Sequence, residues 1–116
     1  MRLSLWTLPL ALLVNAPGAH AQEPRSTKVI LPHCMAGVAP DSQDVIGGRC
    51  AGIVATLTFV SRVLPDNLKF CQPGVLPPEE VVKAIAKFAE ANPDTADQDF
   101  RLVALAAMRE AWPCQE

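Results

Sequence analysis

The stretch that decides the fold begins with Phe70-Cys71-Gln72-Pro73-Gly74-Val75 and ends with Ala111-Trp112-Pro113-Cys114. Between the two cysteines lie two segments with helical periodicity and a short polar turn. Because the helices of a hairpin are antiparallel, its two outer ends lie side by side. A disulfide between Cys71 and Cys114 would therefore close the hairpin, and we expect the rest of the domain to pack against it.

Residues 1–21 have the pattern of a secretory signal peptide. Met1-Arg2 supplies positive charge, residues 3–14 are almost wholly apolar, and Ala19-His20-Ala21 fits a small-x-small cleavage site. The apolar run is shorter than the roughly 20 residues that a membrane-spanning helix needs. We therefore expect cleavage after residue 21, a single mature domain over residues 22–116, and no membrane contact after cleavage.

All the cysteines follow the expected cleavage site: Cys34, Cys50, Cys71 and Cys114. An even number of cysteines in a small exported domain favours two disulfides, and four cysteines allow three pairings. We prefer Cys34–Cys50 alongside Cys71–Cys114, because the former would tie a short N-terminal segment to the next helix, and the other pairings stay open. Zinc is a weak alternative, since no CxxC pair exists and His33 is the one mature histidine.

Residues 44–64 carry the pattern of a long helix. Apolar residues recur every three or four positions along it: Ile46, Cys50, Ile53, Leu57, Val60 and Leu64. Gly48 and Gly52 are unfavourable inside a helix, by roughly 1 kcal/mol each relative to alanine. We expect them to permit the close approach of another backbone beside a disulfide. A shorter helix, beginning at Pro32, is predicted within residues 29–37.

The hairpin itself is predicted to contain two helices. The first starts near Pro78 and ends at Asn92-Pro93-Asp94, because proline cannot continue a helix. Thr95, with Gln98 three residues later, fits a capping box for a last helix over residues 96–111. That helix is apolar over more than half of its circumference, which is typical either of a central helix or of a homodimer interface. The sequence thus predicts an all-α, disulfide-linked bundle of about four helices.

Composition argues against several classes of function. The mature domain has a slight acidic excess and no cluster of Lys and Arg, so nucleic acid is not an expected partner. No phosphate-binding, dinucleotide-binding or hydrolase motif occurs. Candidate nucleophiles such as Ser42 and Ser61 have no base near them in the sequence. We therefore expect neither catalysis nor a cofactor.

Several short motifs occur here in the order and spacing of a known family. They are Gly48-Arg49-Cys50-Ala51-Gly52, the 70–75 segment, the helix ending at Phe88 before Asn92-Pro93, and residues 106–114. With these motifs and its signal peptide, the chain resembles the Rap/Tai family of immunity proteins, which guard bacteria against peptidoglycan amidases delivered by type VI secretion. The resemblance extends from about Cys34 to Cys114.

The resemblance implies a small all-α periplasmic protein, usually dimeric, that plugs the active-site groove of a secreted amidase with a surface loop. The family's inhibitory loop does not transfer residue by residue. Our candidate is the polar turn 92–97, with Asn92, Asp94 and Thr95 as partner-binding residues, since a rigid loop loses less entropy on binding. The alternatives are an ordinary connecting turn and, for the whole protein, a periplasmic disulfide-linked chaperone or stress-related binding protein.

Overall fold

The computed structural model describes residues 25–115, so the expected signal peptide and its cleavage site lie outside the described part of the chain. The described residues form α1 (Thr27–Ile30), α2 (Cys34–Gly37), α3 (Val45–Val60), α4 (Pro78–Ala91) and α5 (Phe100–Ala111). Two 3-10 helices lie at Leu31–His33 and Pro93–Asp97. Since α1, the first 3-10 helix and α2 are continuous, the five α-helices form four segments, and the second 3-10 helix connects the last two of them. No strand occurs within residues 25–115, and the all-α prediction is confirmed.

The N-terminal segment is held against the start of α5 by backbone hydrogen bonds. The Thr27 N–H donates to the Gln98 carbonyl (2.9 Å), and the Phe100 N–H donates to the Arg25 carbonyl (2.7 Å). The buried Thr27 hydroxyl donates to the same Gln98 oxygen at 3.1 Å. Because this pairing fixes the chain at Thr27, the first helix begins there. The predicted start at Pro32 is wrong, since Pro32 lies in the 3-10 helix that follows α1.

The crossing of α2 and α3 places backbone directly against backbone. A Cβ atom on Gly37 would lie 1.9 Å from the Gly47 carbonyl oxygen, and a Cβ atom on Gly47 would lie 2.7 Å from the His33 carbonyl oxygen. Neither position can therefore accept a side chain without moving the other helix. The Cys34–Cys50 disulfide joins the same two helices, with a Cα–Cα distance of 5.3 Å.

Gly48 and Gly52, which were predicted to permit the close approach of another backbone, do not lie at this crossing. A Cβ atom on Gly48 or Gly52 would meet nothing within 4 Å. The prediction was wrong because the buried face of α3 contains Gly47, Cys50 and Val54, whereas Gly48 and Gly52 lie on the exposed face.

The long helix α3 is also shorter than the predicted 44–64. Asp44 caps its start, because its Oδ1 accepts a hydrogen bond from the Gly47 N–H at 3.0 Å. The helix ends at Val60, and the Ser61 hydroxyl then donates to the Thr58 carbonyl at 2.9 Å. The loop 61–77 leads from there to α4.

The hairpin of α4 and α5 supplies most of the core. Its fully buried apolar side chains are Val81, Val82, Ile85, Phe100, Val103, Ala104, Ala107 and Met108. The Cys71–Cys114 disulfide closes the open end of the hairpin, with a Cα–Cα distance of 4.9 Å, and the Cys71 N–H donates to the Trp112 carbonyl at 2.7 Å. Both of the preferred disulfides are therefore present.

The last helix begins at Phe100, later than predicted. Asp99 caps it, because Asp99 Oδ1 accepts a hydrogen bond from the Arg101 N–H at 2.9 Å. The predicted capping box at Thr95 is wrong, since Thr95 lies inside the 3-10 helix Pro93–Asp97. Proline fixes φ at a value that suits the 3-10 helix Pro93–Asp97. The α-helix α5 therefore begins only after the next capping residue, Asp99.

Candidate functional site

The turn 92–97 uses two of its three candidate side chains to hold its own backbone. The Asn92 Nδ2 donates to the Phe88 carbonyl at 2.8 Å, and the Thr95 hydroxyl donates to the Asn92 carbonyl at 2.7 Å. Thr95 is buried and Asn92 is half-buried, while Asp94 is exposed. Of the three candidate residues, Asp94 is therefore the one with an exposed side chain, and the other two fix the shape of the turn.

The turn is braced by the N-terminal segment. The Lys28 Nζ lies 2.5 Å from Asp97 Oδ1, and the Thr27 hydrogen bonds to Gln98 lie directly after the turn. The Cys71–Cys114 disulfide does not brace this turn, because it closes the opposite end of the hairpin. The support comes from α1 instead.

A second turn, residues 72–75, lies beside the Cys71–Cys114 disulfide. Gly74 has φ of 67°, in the left-handed region that favours glycine, and it follows Pro73. Val75 comes next and is 99% exposed. The disulfide and the Cys71–Trp112 hydrogen bond anchor the base of this turn, so a large apolar side chain is presented to solvent by a constrained backbone.

A groove of about 620 Å³ separates this turn from the end of α3. Its walls include Phe59, Phe70, Gln72 and Val75, and Arg62 lies at its rim. The Gln72 Nε2 is buried there without a hydrogen-bond partner. The groove thus has both apolar walls and polar or charged ones, Lys69 among them. It also contains one amide group whose hydrogen-bonding capacity is unused.

Three of the six large apolar residues that are exposed in the described part of the chain lie on α3 or just beyond its end. Val45 is 82% exposed and Phe59 is 84% exposed, and Val63, just beyond the helix, is 80% exposed. By contrast, α5 exposes one large apolar residue, Leu102, at 66%. The homodimer interface that the sequence suggested on α5 would therefore have little apolar surface to bury.

A pocket of about 250 Å³ at the junction of α1, α3 and α5 is lined by Arg25, Arg49, Asp99 and Arg101. The Arg101 Nη2 lies 2.6 Å from Asp99 Oδ2. Hydrogen bonding from Arg101, together with the charges of Arg101 and Arg25, lowers the pKa of Asp99 from 3.8 to about 2. The Asp99 carboxylate therefore stays ionised near neutral pH and offsets one of three positive charges.

His33 bonds to the residue that caps α3. Its Nδ1 lies 2.8 Å from Asp44 Oδ2. The Gly47 N–H, and after it the bond to His33, lower the pKa of Asp44. The pair joins the first 3-10 helix to the start of α3, which is a structural role.

Residues 25–115 contain no group of three or more His, Cys, Asp or Glu side chains placed to hold a metal ion. Every cysteine in that range is in a disulfide. None of the helices in the same range is long and apolar enough to cross a membrane.

The sequence contained signals for the two surfaces that its interpretation missed. Pro73-Gly74 indicates a tight turn, and a tight turn places the next side chain, Val75, at the surface. Along α3 no polar face alternates with the apolar one, so one side of the helix has to leave apolar residues in solvent. The stripe that includes Ile46 and Cys50 predicts the buried side, and the structure confirms that this side faces the core. The side with Val45 and Phe59 is therefore the exposed one.

Comparison with known proteins identifies the family. A family model that describes the Rap1a immunity proteins matches residues 26–114, a range that includes all five α-helices, both disulfides and the turn 92–97. Comparisons with curated proteins and with solved structures gave no match. The chain belongs to the family of Rap1a immunity proteins, and that membership makes it an immunity protein directed against a type VI effector.

Proposed function

We propose that this protein is exported to the periplasm by a cleavable signal peptide, where it binds and inhibits a peptidoglycan amidase delivered by type VI secretion. The inhibition would be steric, with a surface turn occupying the active-site groove of the amidase. The observation that carries the proposal is the family match over residues 26–114. The two disulfides support it, because disulfides persist in oxidising compartments such as the periplasm.

The turn 92–97 is the proposed inhibitory segment. Asp94 would contact the amidase, while the Asn92 and Thr95 hydrogen bonds keep the turn in one shape before binding. Such preorganisation favours affinity, because little backbone entropy remains to be lost in the complex. We further propose that the protein acts as a homodimer, and no catalytic role is assigned to any residue.

The proposal predicts that Asp94→Arg weakens inhibition of the amidase. The oxidised protein, residues 22–116, would be titrated into purified type VI amidases acting on peptidoglycan, starting with any small amidase encoded beside this gene. We expect a loss of at least tenfold in inhibitory potency, which corresponds to about 1.4 kcal/mol. The matched control is Glu110→Arg, which makes the same charge change at another exposed position, near the opposite end of the hairpin.

Two results would count against the proposal in different ways. Equal potency of the Asp94 and Glu110 variants would remove the turn from the interface but leave the immunity function. Failure of the unmodified protein to bind or inhibit any type VI amidase would remove the amidase as the target.

A further inference from the structure

We propose that the exposed face of α3 is the homodimer interface, with two copies of α3 packed antiparallel about a two-fold axis at Gly52. The inference deepens the homodimer part of the proposed function and specifies the surface that is involved. It differs from the sequence-based suggestion, which placed the dimer on α5.

The first argument is where the unburied apolar area lies. Val45, Phe59 and Val63 are each at least 80% exposed, and all three belong to α3 or the turn that directly follows it. The other exposed large apolar residues are single ones on three different elements: Met35 on α2, Val75 in the turn 72–75 and Leu102 on α5. Apolar area that is concentrated on one helix of a small exported domain marks an association surface.

The second argument is the spacing along the helix. Val45, Gly52 and Phe59 are seven residues apart in turn, so they lie on one side of α3, close to two helical turns from one another. Gly52 is the midpoint between Val45 and Phe59. An antiparallel pair centred on Gly52 therefore places Val45 of each copy against Phe59 of the other, which is the self-complementarity that a two-fold interface requires.

The third argument is that glycines, which have no side chains, form the centre of the exposed face of α3. Nothing lies within 4 Å of a Cβ atom at Gly48 or Gly52. The distance between packed helices depends on the side chains at the contact, so a glycine at the crossing lets the two α3 axes come close. A second copy supplies the approaching backbone that these two glycines lack within one copy.

The fourth argument is charge, which selects the antiparallel orientation. The start of α3 is acidic, with Asp41 and Asp44, and its end is basic, with the exposed Arg62. In an antiparallel pair each acidic end meets a basic end. Arg49 on the flank lies across from Ala55 of the second copy, whereas a parallel pair would bring like charges together.

The expected dimer is of modest strength. A helix of 16 residues is about 24 Å long, and contact along one such helix buries less than the roughly 1,600 Å² of a standard interface. Val63 and the neighbouring turn 72–75 extend the contact beyond the helix. Dissociation should therefore be visible on dilution.

The test is the oligomeric state of the oxidised protein, residues 22–116, measured by analytical ultracentrifugation over a range of concentrations. We expect a dimer that dissociates on dilution. Gly52→Arg and Phe59→Ser should raise the dissociation constant at least tenfold, whereas the control Leu102→Ser on α5 should leave it unchanged. Circular dichroism would verify that each variant keeps its helices.

A crosslink gives a second, position-specific readout. Residues on a two-fold axis meet their own copy, so Gly52→Cys should form a disulfide between two chains on mild oxidation, and Leu102→Cys should not. A monomer at all concentrations, or a dimer that Gly52→Arg leaves intact, would overturn the proposal. Neither readout needs the amidase, so the dimer can fail while amidase inhibition holds, or the reverse.

Discussion

At the scale of single residues, two glycines set the distance between α2 and α3. Gly37 and Gly47 face each other so closely that a Cβ on either would overlap the other's backbone. That contact lets the Cys34–Cys50 bridge form between the same two helices. Gly48, the next residue after Gly47, faces solvent and carries no such constraint.

The neighbouring glycines provide a matched pair of substitutions. Gly47→Ala should lower the free energy of unfolding by about 2 kcal/mol, because the added methyl forces the two helices apart. Gly48→Ala should raise it, by at most about 1 kcal/mol, through better helix propensity in an exposed position. Guanidinium unfolding of the oxidised variants checks both signs. A stabilising effect of Gly47→Ala would contradict the close contact.

At the scale of elements, the two disulfides tie different parts of the fold and differ in access. Cys34–Cys50 is fully buried and fastens α2 to α3, while Cys71–Cys114 closes the α4–α5 hairpin from an exposed loop. In the chain-entropy model, loops with sequence separations of 16 and 43 residues are worth about 3 and about 4 kcal/mol respectively. The more accessible bridge thus closes the longer loop.

The different burial of the two disulfides predicts the order in which they are reduced. Thiol–disulfide exchange needs access to a sulfur atom, so mild reductant at constant pH should open Cys71–Cys114 first. Cys34–Cys50 should persist until the domain unfolds. Alkylation followed by peptide mass spectrometry measures the order, and guanidinium serves as the control in which both bridges reduce. Earlier reduction of Cys34–Cys50 would show that α2 and α3 separate in the native protein.

At the scale of the whole molecule, the question is whether the protein is an immunity protein or an acid-activated chaperone. A chaperone of that class would dissociate and expose apolar surface as the pH falls. Residues 22–116 contain one histidine, so an acid response has to come from carboxylates, which titrate near pH 4. Asp44 and Asp99 are carboxylates that accept hydrogen bonds in the folded state, and these bonds lower their pKa values.

A lowered pKa has a definite consequence for stability. A carboxylate with a pKa lower in the folded state contributes stability above its unfolded value, near 4, and loses it as the pH falls through the folded value, which is about 2 for Asp99. We therefore expect the helical content and the sedimentation coefficient to stay constant from pH 7 down to about pH 4 and to change below it. Dissociation with exposure of apolar surface between pH 6 and pH 5 would instead favour the chaperone.

The Asp99 carboxylate allows a specific check of the direction in which its charge changes the free energy of unfolding with pH. Asp99→Asn keeps a residue that can cap α5 but removes the charge that binds Arg101. It should be less stable than the unmodified protein at pH 7, by about 1 kcal/mol for a partly exposed pair at a helix start. The difference should close as the pH falls from 4 to 2, as measured by urea unfolding. A difference that is independent of pH would assign the effect to the cap and not to the charge.

The sequence by itself predicted the helical class and the family, and it favoured the two cysteine pairs that the structure contains. Periodicity and proline placement are local properties, so α4, bounded by Pro78 and Asn92-Pro93, was predicted almost to the residue. The order of the elements along the chain also predicts an antiparallel helical hairpin. Its outer ends carry Cys71 and Cys114, so the hairpin favoured this pair. The family follows from the order of motifs over about residues 34–114.

Tertiary structure decided which backbones come into close contact and which turns are braced. The apolar stripe that includes Ile46 and Cys50 predicted the buried side of α3. The close approach of Gly37 to Gly47, in place of one at Gly48 or Gly52, became evident only from the packing of α2 on α3. Likewise, the start of α5 depends on the pairing of residues 25–27 with residues 98–100, which are distant in sequence. The sequence could not supply either answer, because both depend on contacts between residues that are far apart in the chain.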